Sequence, residues 1–298
     1  MNLSFYRSNI EQFAREIGFV RRQFCLNEEL YKTVKDRLSV LDDCPKGAER
    51  YTELSTVITQ CFWGEHDFEV RVAFALVNVF GIMLDDLGPS HKEEYLRSVQ
   101  EHAAGRRVSW SILRNLVDHT DKLMAVMPWF RAYLVKRAVD GFISFTYLEA
   151  FSPESFKNGD DAITDSFYRQ GTSAYELYVL GVFPFDSEWK DYLFLLPHLG
   201  KFVNEVNDFL SYYKESIVCH EGNAFGRRGS GSGKPIEEVL VDSRKRCVDV
   251  VRFLQNVEMS PRLREALDSF IERFLNYHFD VDYRYRLSEV GIQFPAKI

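Results

Sequence analysis

Several common kinds of protein are excluded by what this sequence lacks. Its five cysteines, Cys25, Cys44, Cys61, Cys219 and Cys247, are scattered and form no CxxC pair. Zinc-ribbon and dithiol chemistry need closely spaced thiols, so neither has support, and scattered free thiols fit a reducing cytosol. The expected location is therefore cytoplasmic. No uninterrupted apolar run reaches ~18 residues, which argues against a membrane span. Met1 to Val20 carries Arg7, Glu11, Arg15 and Glu16, and is expected not to be a signal peptide. Positive charge is short too. The 37 Lys and Arg against 44 Asp and Glu give a net charge of −7, so no general affinity for nucleic acid or an anionic membrane is expected. Any anionic substrate would need locally arranged cations or metals. Strict polar–apolar alternation is scarce, and neither an internal repeat nor an interdomain linker is visible.

What is present is apolar spacing of helical period. The 298 residues are 46% hydrophobic and 15% aromatic, with 25 Phe and 15 Tyr. Helices are expected over Leu3 to Gly18, Glu28 to Leu41 behind an Asn27 cap, Ala48 to Phe62, Glu65 to Leu87, and Ser90 to Ala103. Others follow from Ser109 to about Met124, Pro128 to Phe151, Asp160 to Gln170, and Ala174 to Phe183. Asp186 is the expected cap of the next. Pro235 and Ser260-Pro261 open the last two, which end near Val257 and Asp282. Gly222 to Gly233 holds five glycines and no periodicity, as a mobile loop would. The expectation is an all-α bundle of roughly ten or more helices in one domain over 1–298, with ligand space between facing helices.

Chemistry concentrates in three places. In Asn207-Asp208-Phe209-Leu210-Ser211-Tyr212-Tyr213-Lys214-Glu215, the residues Asn207, Ser211 and Glu215 are spaced i, i+4, i+8. Each four-residue step on a helix turns about 40° past a full circle and rises about 6 Å, so all three project from one side. Amide, hydroxyl and carboxylate are hard oxygen donors, suited to Mg²⁺ with a diphosphate completing its shell. An ordinary polar helix face would look the same in isolation. The second place is Asp85-Asp86, at the end of the apolar run Phe74 to Leu84, broken only by Asn78. Adjacent carboxylates at a helix C-terminus repel each other and the dipole, and a divalent cation would relieve this. The third is basic: Arg169 before Gly171, Lys214 beside Glu215, and Arg284-Tyr285-Arg286. Arg suits bidentate phosphate binding and Lys acts as a point charge.

Together, Asp85-Asp86, Asn207-x-x-x-Ser211-x-x-x-Glu215 and Asp282-Tyr283-Arg284-Tyr285-Arg286-Leu287-Ser288-Glu289 resemble the motifs of class I terpene synthases, in particular fungal sesquiterpene cyclases of the trichodiene synthase type. Arg169, Gly171 and Pro184 match a further family pattern. The likeness runs thinly from about residue 20 onward. It implies a single class I terpenoid synthase-like helical bundle around a central aromatic-lined cavity, with three Mg²⁺ ions and farnesyl diphosphate as substrate. By the resemblance Asp85 would bridge two ions, and Asn207, Ser211 and Glu215 would hold the third. Arg169, Lys214, Arg284 and Tyr285 would grip the diphosphate. The family usually has a further acid where Pro89 stands, which leaves Asp86 without an assigned role. A homodimer is implied as well.

Such an enzyme needs no side-chain nucleophile. Cations stabilise the departing diphosphate, an allylic cation is left, and a dry aromatic cavity folds it. Candidate wall residues are Phe74, Asn78 and Gly81 on the face of Asp85, then Phe142 and Phe145, and Tyr277, His278 and Phe279 before the basic motif. In resembling cyclases the loop after the second metal motif closes over the site, so Gly222 to Gly233 is a candidate lid, with Arg227 and Arg228 in its middle. A chain-elongating prenyltransferase, a cyclase of another chain length and an inactive helical scaffold remain alternatives.

Overall fold

The computed structural model describes residues 3–151, 167, 171–172, 174–219 and 233–292. Among these the chain is helical and holds no strand, as the spacing implies. The helices are α1 (Leu3–Glu16), α2 (Glu28–Ser39), α3 (Thr52–Trp63), α4 (Phe68–Leu87), α5 (Lys92–Ala103), α6 (Ser111–Ala125), α7 (Trp129–Phe151) and α8 (Ala174–Val179). They continue with α9 (Trp189–Tyr192), α10 (Leu196–Tyr212), α11 (Ile236–Asn256), α12 (Pro261–Asp280) and α13 (Asp282–Tyr285). No helix among the described residues is long and apolar enough to cross a membrane. The expected helix Asp160 to Gln170 and the loop Gly222 to Gly233 fall, apart from Phe167 and Gly233, outside the described residues.

Several ends follow from capping chemistry. The Asn27 side chain accepts the Leu30 N–H at 2.9 Å, and Ser260 caps α12 ahead of Pro261. Ser109 does not cap α6, because its N–H donates to the Glu101 carboxylate at 2.7 Å and the helix begins at Ser111. Asp186 is not the N-cap of the next long helix, whose cap position is Leu195. The helix bearing Asn207 and Ser211 starts at Leu196, where a proline in the first turn sacrifices no ladder hydrogen bond. Gly171 and Thr172, between the two helices expected over Asp160 to Gln170 and Ala174 to Phe183, are helical. The glycine serves a close approach, since a Cβ there would overlap the Phe145 ring.

The chain divides into two compact units. One comprises Met1–Phe24, Gly159–Ser166 and Glu188–Ile298, the other Cys25–Asn158 and Phe167–Ser187. In the second unit α4 packs against α2, α3 and α6, and α7 packs against α5, α6 and α8. Phe74 through Phe80 on α4 are all buried, as expected of an apolar run with no polar face. Trp63 lies flat on Phe74 with ring centroids 4.4 Å apart, and the Ser55 hydroxyl ties α3 to the Ala75 carbonyl. Arg131 of α7 is 1% exposed. Its guanidinium donates to the carbonyls of Leu180, Phe183 and Pro184, which offsets the cost of burying its charge and fixes the turn after α8.

In the first unit α11 packs against α1 and α10. Residues 21–24 are tied to α12. Arg21 pairs with Asp280, the Phe24 N–H donates to the same carboxylate at 2.7 Å, and the Arg22 N–H reaches the Asn276 amide at 2.8 Å.

Candidate active site

The candidate metal-binding segment Asn207–Glu215 does not lie on one uniform α-helix. Asn207 and Ser211 belong to α10, whereas Lys214 and Glu215 belong to a π-helical turn, Tyr213–Val218. The cause lies far away in sequence. Tyr6 is fully buried, and its hydroxyl donates to the Phe209 carbonyl at 2.8 Å and the Leu210 carbonyl at 3.1 Å while accepting from the Tyr213 N–H. That hydroxyl engages the Phe209 carbonyl, the ordinary ladder partner of the Tyr213 N–H, and a side chain inserted at the ladder is a recognised cause of local helix distortion. Ordinary α geometry would carry Glu215 about 80° past Asn207. A turn bonded i to i+5 advances less per residue, so Glu215 swings back toward the line of the other two.

The donor set fits a hard divalent cation. Ser211 is 1% exposed, and its hydroxyl has no partner. Thr56, Thr59 and Thr120 satisfy theirs by bonding the carbonyl four residues back, as buried helical hydroxyls usually do. An orphaned buried hydroxyl flanked by an amide and a carboxylate is the pattern expected of an oxygen site for Mg²⁺. Glu215 is about one-fifth exposed, with the Lys214 ammonium 3.9 Å away. Among the described residues no group of three or more His, Cys, Asp or Glu could hold a metal.

The C-terminal basic motif meets this helix directly. The Tyr285 hydroxyl and the His278 Nε2 each lie 3.3 Å from the Asn207 amide oxygen. The Tyr285 ring sits 4.4 Å from His278 and edge-on to Tyr277 at 5.5 Å. Burial pushes the His278 pKa down to about 3, opposed by its bond to the Phe274 carbonyl and aided by the Arg284 charge. Burial likewise raises Tyr285 well above the usual phenol range. Arg286 has a φ of 57°, the left-handed region that non-glycine residues rarely enter. It is braced by Glu289 at 2.6 Å, and Glu289 also accepts from the Tyr213 hydroxyl at 3.1 Å. The basic motif is thereby fastened to the π turn that carries Lys214 and Glu215.

Asp85 and Asp86 end α4, and both are exposed. Asp86 engages the Tyr51 hydroxyl, while the charge of Asp85 acts on Tyr95. Below them, Asn78 is buried and accepts from the Tyr178 hydroxyl at 3.1 Å, but its Nδ2 has no partner. Tyr178 stacks on Phe62 at 4.8 Å and meets Phe74 edge-on. Gly81 faces Phe142, for a Cβ there would lie 3.9 Å from that ring. Phe145 packs against Phe167 and Gly171. Phe279 lies 4.9 Å from Phe19. Arg169 and the candidate lid lie outside the described residues. Sequence reasoning missed Tyr6 and Tyr178, and it took His278 only as a wall residue. No local pattern marks these residues, because their partners are distant in the chain.

No family model matches the chain. It is 24% identical over 233 residues to an (E)-beta farnesene synthase from Metarhizium brunneum, covering 75% of this chain and 70% of that protein. It is 25% identical over 250 residues to terpene synthase 29 from Postia placenta, covering 78% and 69% respectively. It is 22% identical over 250 residues to an alpha-cuprenene synthase from Coprinopsis cinerea, covering 83% and 77%. Similarity along most of the chain to terpene synthases, on an all-helical fold, supports a class I terpene synthase of the fungal kind.

Proposed function

We propose that this terpene synthase is a Mg²⁺-dependent cyclase that ionises farnesyl diphosphate and closes the resulting allylic cation to a sesquiterpene hydrocarbon or alcohol. The observation that carries the reading is the partnerless buried hydroxyl of Ser211, one helical turn from Asn207 and one from Glu215. Asn207, Ser211 and Glu215 would hold one Mg²⁺, and Asp85 would hold others. When bound, magnesium supplies Lewis-acid charge to the oxygens of the leaving diphosphate.

The chain's own residues do the rest. Lys214, Arg284 and Arg169 supply fixed positive charge to the diphosphate as its bond to carbon breaks. Tyr285 donates its hydroxyl at the edge of the same group. Phe74, Phe142, Phe145 and Tyr277 would offer apolar walls and ring faces to the cation, and the hydrogen-bonded Asn78–Tyr178 pair beside Phe74 would add a polar spot. No side chain need act as a nucleophile.

The reading is tested by incubating the purified protein with farnesyl diphosphate and Mg²⁺ and analysing the organic extract by mass spectrometry. A cyclic fifteen-carbon product with release of diphosphate is expected, abolished by a chelator. Parallel incubations use geranyl and geranylgeranyl diphosphate, since the relatives include a monoterpene synthase. Turnover of one of these alone would reassign the substrate. A longer prenyl diphosphate, formed when isopentenyl diphosphate is added, would make the protein an elongating enzyme.

A further inference from the structure

Asn78 is a buried amide with one end held and the other unanswered. It is 3% exposed, and its Oδ1 accepts from the Tyr178 hydroxyl at 3.1 Å. That bond fixes the amide plane and with it the direction of the two Nδ2 protons. Among the described residues Nδ2 meets no acceptor. Other buried asparagines of the chain find one in their own helix. The Nδ2 atoms of Asn9, Asn115 and Asn276 each donate to the carbonyl four residues back, those of Phe5, Ser111 and Glu272, at 2.9 Å. The equivalent acceptor for Asn78 is the Phe74 carbonyl, and Nδ2 does not bond to it.

The neighbouring rings offer nothing in exchange. Tyr178 stacks on Phe62 at 4.8 Å and meets Phe74 edge-on at 6.2 Å, and Trp63 lies on Phe74 at 4.4 Å. The two phenylalanines carry no acceptor, and an indole is a donor only. The buried Trp63 Nε1 is itself a second unpaired donor of this cluster. A buried donor that no protein group answers is commonly met by an ordered water. A prenyl chain is hydrocarbon once its diphosphate has left, so it supplies no acceptor either.

We propose that Asn78, oriented by Tyr178, holds a water molecule on Nδ2 beside the carbocation, and that this water ends the reaction as an alcohol. This rests on the reading of the protein as a prenyl diphosphate cyclase with Asn78 on the cavity wall. Nδ2 donates to one lone pair of the water oxygen and leaves the other open. That second pair forms the C–O bond, filling the empty orbital of the cationic carbon. The oxonium so formed gives a proton to the diphosphate, the base released when the cation was made, and a neutral alcohol remains. Donation by the amide does not make the water a stronger nucleophile. It supplies place, and in a cavity otherwise closed to water, place decides which carbon is attacked. Asn78 binds the water, while Tyr178 acts through the amide and is a positioning residue.

The oxygen source is read on the unmodified full-length protein, so the test stands even if a buried substitution prevents folding. The protein is incubated in oxygen-18 water with Mg²⁺ and farnesyl diphosphate, or whichever prenyl diphosphate it accepts. A cyclic alcohol carrying oxygen-18 is expected among the products. An active protein that yields hydrocarbon alone, or an alcohol whose oxygen comes from the diphosphate, overturns the inference and leaves the cyclase reading standing. Asn78→Leu should lower the alcohol share of total product about tenfold, the worth of one hydrogen bond. Tyr178→Phe frees the amide to turn and should lower that share by less. An unchanged share in Asn78→Leu overturns the water site, and an unchanged share in Tyr178→Phe alone removes the positioning role. If farnesyl, geranyl and geranylgeranyl diphosphate are all left unconverted, the cyclase reading falls and this inference with it.

Discussion

Tyr6 donates its hydroxyl to the Phe209 carbonyl at 2.8 Å across 203 residues of sequence, and the helix that carries Phe209 widens into a π turn four residues later. The first helix thus touches the segment that carries the candidate ligands Ser211 and Glu215. A phenol in the place of one ladder bond leaves the following residues to find partners five positions back, which moves Glu215 relative to Asn207 and Ser211. Tyr6→Phe keeps the ring and removes the wedge. The fold should survive with a loss of about 1 kcal/mol, the usual worth of a hydrogen bond, while the Mg²⁺ concentration for half-maximal rate rises roughly tenfold. Thermal melts and rate against Mg²⁺ decide it; an unchanged Mg²⁺ dependence would mean that the wedge does not set Glu215.

Ser211→Ala separates function from stability. The hydroxyl is buried without a partner, so its removal should leave the melting temperature unchanged or raise it, by at most about 1–3 kcal/mol of relieved desolvation. Mg²⁺-dependent turnover should nevertheless fall about 10–100-fold. Glu215→Gln should lose activity to a similar degree. A Ser211→Ala protein that is less stable yet fully active would show the hydroxyl to be structural.

Asp85 and Asp86 should differ. Adjacent helical residues diverge by about 100°, so both cannot face the same ions. Asp86 is already engaged with the Tyr51 hydroxyl. Asp85→Asn should depress turnover about 100-fold or more, and Asp86→Asn far less. Because Tyr51→Phe breaks the same contact, its effect combined with Asp86→Asn should be less than additive. Equal losses at Asp85 and Asp86 would mean that α4 does not turn Asp85 alone toward the ions.

The Asn78–Tyr178 pair should steer products. Asn78→Leu and Tyr178→Phe each remove one end of a 3.1 Å hydrogen bond set among Phe62, Phe74 and Trp63. A change of about 1.4 kcal/mol between competing cation routes is tenfold in their ratio, so the product mixture should shift in both variants. The same mixture at lower yield would assign the pair to packing alone.

Acid should destabilise the second unit through His66. Burial pushes its pKa down to about 4, while its Nε2 contacts the Gly181 carbonyl at 2.9 Å. A histidine whose folded pKa is depressed binds its proton more readily when unfolded. Stability is therefore full above the unfolded pKa of about 6.5 and falls as pH drops toward 4, by about 1.4 kcal/mol per pH unit. Urea melts at pH 7, 6 and 5 should show that slope reduced in His66→Gln. An identical slope in the variant would assign the acid sensitivity to other groups.

Much of the fold was legible because helical period is a local property. The apolar stretch Phe74 to Leu84 announced a buried helix, and Asn27 and Ser260 announced helix starts. The misassigned starts at Ser109 and Asp186 came from residues whose capping chemistry was plausible locally but was superseded by Glu101 in one case and by Pro197 in the other. The candidate ligands Asn207, Ser211 and Glu215 were legible for the same reason, since oxygen chemistry and helical spacing are both written in nine consecutive residues.

The sequence by itself determined an all-helical chain, the kinds of donor it carries, and which donors share a helix. Tertiary structure alone decided how those donors are presented. Tyr6 brings a hydroxyl to the backbone just before the π turn under Glu215, and His278 and Tyr285 meet the Asn207 amide oxygen from 71 and 78 residues away. Backbone period repeats within a few residues and can be read along the chain. A hydrogen bond between distant residues exists only once packing has brought donor and acceptor together, and it is these bonds that set the geometry of the site.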